Sequence, residues 1–197
     1  MIIDKYSRKI VFTEGFEPPA ALSGAARAKT CCFTGHRPEK LPAGEELAQM
    51  NKKAAVFIRL LAQRGFGRFI TGMSRGFDLE MARLVMQLGG SLICALPYPE
   101  QEREMRTEEE KKLYAAALEN AELIMISSPH YTRGCYGVRN RLMVECSAAL
   151  IGYAADRESR SGSMQTVRMA ERAGLETYIM YGTQQISRCE IDFKEKR

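Results

Sequence analysis

The chain has 197 residues, of which 45% are hydrophobic and 27% charged, and a formal net charge of +5 at pH 7. This size and balance describe one globular domain and exclude a disordered or collagen-like chain. The mildly basic charge suits an anionic ligand, but no block of like charge argues for nucleic acid.

In chain order, residues 1–29 read as an N-terminal extension, broken by Glu17-Pro18-Pro19 and holding a short strand at 9–13. Residues 30–184 read as a Rossmann-like domain, and 185–197 as a C-terminal tail. Uninterrupted apolar runs at 30–34, 68–71, 92–96, 123–127, 149–153 and 177–180 predict strands covered on both faces, as in a parallel sheet. Helical periods fill the intervals. Leu47, Met50, Ala54, Phe57 and Leu61 line one face of a helix over 47–64, which Gly65 stops. A helix over 78–88 ends at Gly89-Gly90, and one over 107–121 opens with Thr107 and Glu110 at capping-box spacing. Two more are predicted over 138–148 and 164–173. This alternation predicts a doubly wound, mainly parallel sheet in three α/β/α layers.

Six cysteines are present without a CxxC pair, and the two histidines, His36 and His130, lie far apart. Reduced core cysteines are expected, and no metal site. No leader peptide and no run of about 18 apolar residues is visible, so a cytoplasmic protein without membrane contact is expected.

In doubly wound folds ligands bind at the carboxyl ends of the strands. The first strand is followed by Thr34-Gly35-His36-Arg37-Pro38. Glycine permits close backbone approach, and arginine offers a two-pronged phosphate donor. An ordinary turn with a solvated arginine is the other reading. The second strand is followed by Thr71-Gly72-Met73-Ser74-Arg75-Gly76-Phe77-Asp78, a glycine-rich turn into a helix whose free N–H groups favour an anion. Asp78 serves there either the helix dipole or a ribose hydroxyl. Tyr98, between Pro97 and Pro99, either stacks on a base or covers a core edge, and the charged run 100–112 reads as a solvated helix face. The fourth strand leads into a long polar segment, 127–141, rich in arginine and aromatic residues and running into a helix. Arg139 and Asn140 sit in or near the first turn of that helix, and a cation there opposes the dipole unless an anion is bound. Ser161-Gly162-Ser163 either caps the last helix or cradles a phosphate. Arg37, Arg75, Arg133, Arg139, Arg157 and Arg160 are expected to gather on one rim. The candidate ligand-binding residues are thus Thr34, Gly35, His36, Arg37, Thr71, Gly72, Ser74, Arg75, Gly76, Asp78, Arg139, Asn140, Gly162 and Ser163.

From Cys31 to Tyr181 the chain resembles the YpsA-like branch of the SLOG superfamily, which includes the LOG phosphoribohydrolases and the DNA-processing protein DprA. The matching pieces are Thr34-Gly35-His36-Arg37-Pro38, Thr71-Gly72 with Gly76-Phe77-Asp78, Arg139-Asn140-Arg141-Leu142-Met143-Val144, and the Gly162-Ser163 turn before Thr166 and Ala170. The resemblance implies a Rossmann-like pocket for a nucleotide-derived ligand such as NAD or ADP-ribose, built by Thr34, Gly35, Arg37, Gly72, Gly76, Asp78, Arg139, Asn140 and Gly162. LOG enzymes carry Gly-Gly-x-Gly-Thr-x-x-Glu. Here the corresponding turn is Ser161-Gly162-Ser163, with Thr166 and Met169 where a carboxylate is needed.

The main expectation is therefore binding or sensing of a phosphate-bearing, nucleotide-derived small molecule, with no cofactor fixed by the sequence. One alternative is a hydrolase acting on an N-glycosidic or phosphate bond, with Asp78 or Glu145 as acid or base. The other is a DprA-like binder of single-stranded DNA, which the absence of tryptophan and the modest charge argue against. Self-association is compatible with the fold.

Overall fold

Thr30–Thr34 (β2) is buried along its whole length. A strand so covered needs parallel neighbours and a helical layer on each side. The computed structural model, which describes residues 2–13, 16–182 and 189–192, supplies both. β2 pairs in parallel with β3 (Arg68–Thr71) on one side and β6 (Ala149–Ala154) on the other, with Cys31 opposite Phe69 and Ala149. Beyond β3 come β4 (Ser91–Leu96), β5 (Leu123–Ile126) and, at the edge, β1 (Ile10–Phe12). Beyond β6 come β7 (Glu176–Tyr181) and β8 (Cys189–Asp192). Among the described residues, the strands up to β7 run parallel and β8 is antiparallel to β7.

The helices are α1 (Ile2–Lys5), α2 (Gly24–Arg27), α3 (Gly44–Gln63), α4 (Phe77–Gln87), α5 (Glu108–Asn120), α6 (Cys135–Glu145) and α7 (Gly162–Arg172). Alternate residues of each strand feed opposite cores. Phe33 and Phe69 meet Ile58 and Leu61 of α3 and Phe77 of α4 in one cluster. Cys32 and Ile70 meet Leu142 of α6 and Val167 of α7 in the other. The expected three-layer, doubly wound fold is therefore the fold observed.

The expected strands and helices are present, with ends shifted by a few residues. Thr107 caps α5 as its spacing predicts: Glu110 N–H donates to Thr107 Oγ1 at 3.1 Å, and Thr107 N–H donates to a Glu110 carboxylate oxygen at 3.3 Å. α6 starts at Cys135 rather than at 138, because Gly134, at φ 100°, turns the chain into the helix earlier. The sheet takes β1 from the expected extension and β8 from the expected tail, while the start of that tail lies outside the described residues.

The chain runs outward from β2 to β5, then crosses back to β6 on the opposite side. This reversal makes β2 and β6 the switch point, where the loops after neighbouring strands diverge and leave a crevice.

Candidate functional site

The floor of the crevice is set by glycines that make room for protein atoms. A Cβ on Gly35 would stand 2.3 Å from Phe77 Cγ, and one on Gly76 2.7 Å from the His36 carbonyl oxygen. Gly76 also holds φ at 88°, which L side chains avoid. Both positions let α4 dock against the β2 loop, and Phe77 N–H donates to His36 O at 3.1 Å. Phe77 fills the space on the Cβ side of Gly35, while Gly35 still lines the crevice.

The loop after β3 is tied to α6 by charge. Asp78 and Arg139 are both buried, and Arg139 Nη1 lies 3.7 Å from Asp78 Oδ2. Ser74 N–H donates to the same oxygen at 3.3 Å, and Arg139 Nη2 donates to Ser74 Oγ at 3.1 Å. Arg139 Nη1 also reaches Ala95 O at 3.4 Å. Burial pushes the Asp78 carboxyl above its ordinary range and the Arg139 guanidinium below its own, and each opposes the shift of the other. Asp78 thus meets, within the protein, the dipole conflict expected at Arg139. Among the described residues Arg139 Nε has no partner, although the residue is only 3% exposed and lines the crevice.

His36 bridges the two diverging loops. Ala155 N–H donates to His36 Nε2 at 2.8 Å, and Nδ1 faces Ser163 Oγ at 3.3 Å. Accepting at Nε2 places the proton of the neutral ring on Nδ1. Burial holds the imidazole below its ordinary pKa, helped by Lys40 and opposed by Asp156. Ser161 caps α7, its side chain accepting from Met164 N–H at 3.3 Å. Asn140 Nδ2 donates to Thr166 Oγ1 at 3.0 Å, which fixes α6 to α7.

The rim contains residues that the sequence did not single out. Glu104 ends the 3-10 turn Gln101–Glu104. Its Oε1 accepts from Tyr98 Oη at 2.6 Å and from Tyr136 Oη, and its Oε2 lies 3.4 Å from Arg37 Nη1. The guanidinium carbons of Arg37 and Arg139 stand 5.5 and 5.6 Å from the centre of the Tyr136 ring. Tyr98 packs edge-on against Tyr136 and against Tyr131, with centroids 6.3 and 5.4 Å apart, and Tyr131 is 63% exposed. The run 100–112 is therefore not a simple solvated face: Glu104 enters the site, and Glu110 binds Arg75.

These elements enclose a cavity of about 470 Å³. Of the candidates, Thr34, Gly35, His36, Arg37, Ser74, Asp78, Arg139, Asn140, Gly162 and Ser163 line it. Thr71, Gly72, Arg75 and Gly76 do not. Thr71 Oγ1 donates to Asp78 O at 2.8 Å, and Arg75 is held by Glu110 at 2.9 Å and Glu39 at 3.3 Å. The six expected rim arginines divide accordingly. Arg37 and Arg139 line the cavity, Arg75 is paired elsewhere, and Arg133, Arg157 and Arg160 lie exposed on the flanking loops. Among the described residues no cluster of His, Cys, Asp and Glu has the makings of a metal site, and no helix is long and apolar enough to cross a membrane.

Two solved structures share the architecture. DNA processing protein A (DprA) from Streptococcus pneumoniae is 18% identical with a TM-score of 0.58, over 79% of this chain and 51% of its own. DNA processing protein A from Helicobacter pylori, described for its single-stranded DNA binding mode, is 19% identical with a TM-score of 0.59, over 82% of this chain and 68% of its own. The chain thus spans about half the length of the S. pneumoniae protein. No curated protein matches the chain. A family model, DNA recombination-mediator protein A, matches residues 46–190. That match overturns two expectations from the sequence: a nucleotide-derived small molecule as the main ligand, and nucleic acid as a partner to be discounted. Tryptophan and a block of like charge are absent, but Tyr98, after β4, and Tyr131 and Tyr136, after β5, come together near Arg37 and Arg139. With most of its length matched, from within α3 into β8, this chain belongs to the DNA recombination-mediator protein A family.

Proposed function

We propose that this chain binds single-stranded DNA at the crevice between the β2 and β6 loops. A backbone phosphate sits between Arg37 and Arg139, and an unpaired base stacks on Tyr131. The observation that carries this reading is the adjacency of the two-arginine cavity to an exposed tyrosine backed by two more aromatic rings. Single strands are held by this pairing, a basic groove for the backbone and a π-face for the bases. Arg139 Nε, without a partner among the described residues, is one donor for the phosphate. Family membership and the single-stranded DNA binding of the H. pylori relative support the same class of ligand.

In this proposal residues 30–184 form the binding unit and the protein works in the cytoplasm. The Thr34–Pro38 and Arg139–Val144 motifs support the YpsA-like branch as its place within the wider superfamily.

The test is anisotropy of a labelled oligothymidylate titrated with the protein across a salt series. Neutralising about two to three phosphates gives a slope of log affinity against log salt near −1.4 to −2. Arg37→Ala is expected to weaken binding and flatten that slope. No binding at low salt would sink the proposal.

A further inference from the structure

In the free protein both arginines of the crevice already face a carboxylate. Arg139 is paired with Asp78, and Arg37 with Glu104. A phosphate placed between the two arginines competes with these carboxylates. The Asp78–Arg139 pair is buried and braced by Ser74, so opening it strands a charge away from water. The Arg37–Glu104 pair is reachable by solvent, its side chains 42% and 26% exposed, and it rests on one 3.4 Å contact. Exposed pairs of this kind are weak.

The Glu104 carboxylate is nevertheless held in place. Tyr98 and Tyr136 both donate to its Oε1, which leaves Oε2 directed at Arg37. The group thus presents to Arg37 one oxygen of an anion held by neutral donors, as a phosphate oxygen would be presented.

We infer that Glu104 is a built-in competitor for the anion that Arg37 receives, and so sets the affinity of the site; this rests on the phosphate-binding reading above. A lone monoanion gains little by exchanging with Glu104. A polyanion that makes further contacts along the rim gains enough to displace it. Glu104 therefore selects for an extended phosphate chain over small anions.

The experiment compares the full chain with Glu104→Gln, which keeps the shape and an acceptor oxygen for the tyrosines but removes the charge. Two probes are used: labelled oligothymidylate, read by anisotropy, and inorganic tripolyphosphate, read by tyrosine fluorescence. Glu104→Gln is expected to bind each about three- to tenfold more tightly, since an exposed pair and a carboxylate–phosphate repulsion are both removed. In an Arg37→Ala background the gain should vanish. Thermal melting checks that each variant is folded, and Glu104→Ala, a second variant, should shift affinity in the same direction. Unchanged or weaker binding of both probes by Glu104→Gln overturns the inference, as does a gain that persists without Arg37. Tighter tripolyphosphate binding with no oligothymidylate binding by either protein upholds the role of Glu104 and removes the DNA reading. No binding of either probe overturns both.

Discussion

Gly72 and the Arg139 guanidinium compete for the same space: a Cβ on Gly72 would stand 1.6 Å from Arg139 Nη1 and 2.7 Å from Asp78 Oδ2. The absence of a side chain at the end of β3 is what lets an arginine from α6 cross beneath the β3 loop and reach its carboxylate. Gly72→Ala is therefore expected to expel Arg139 from the ion pair. Separating a buried pair costs about 3–5 kcal/mol. Chemical denaturation should show a loss of that order, and wild-type stability in Gly72→Ala would refute the steric account.

Tyr131 is exposed and packs at right angles to Tyr98. Tyr131→Ala should leave the melting temperature nearly unchanged. Its oligothymidylate affinity should fall by about 1–3 kcal/mol, the usual worth of one stacked base. Equal affinity of wild type and variant in the same anisotropy assay would remove Tyr131 from the interface.

His36 gives a pH dependence with a fixed sign. Its native pKa lies below the ordinary 6.5, so below about pH 6.5 the unfolded chain takes up a proton that the native ring refuses. This contribution to stability is present above that pH and is lost as pH falls toward the native pKa. Protonation at Nε2 would also cost the bond from Ala155 N–H. Melting temperature should therefore drop more steeply on acidification in wild type than in His36→Gln, whose amide does not titrate. Parallel curves would show that His36 is not the group responsible.

At Thr107 the expectation concerns the fold alone. The reciprocal bonds with Glu110 satisfy two N–H groups at the start of α5. Thr107→Ala should cost about 1 kcal/mol in denaturant melts, with unchanged oligonucleotide binding. A change in binding would mean that α5 communicates with the rim through Glu110 and Arg75.

The strands were legible in the sequence because central parallel strands must be apolar on both faces, and β2 and β6 are buried at every position. The loops that follow them could be placed on one edge for the same reason. What the loops do with their side chains was less legible. Arg139 looked like a cation in need of a ligand, because its partner Asp78 lies on another helix. Arg75 looked equally available, yet Glu110 and Glu39 hold it away from the crevice. Glu104 sits in a run of alternating charge, and nothing local distinguishes it from Glu102 or Glu108. Only the meeting of two tyrosines and an arginine from three segments gives it a role.

The pairing of β1 with β5 bears on the order in which the molecule assembles. Ile10 lies opposite Ile124, so the first strand in the sequence has no partner until the chain has passed that point. Closing so long a loop carries an entropic cost, and contacts distant in sequence slow folding. During synthesis the β1 segment must wait while β2, β3 and β4 emerge and pair. The edge it completes is then among the last parts of the sheet to form, and it should be among the first to exchange its amide hydrogens.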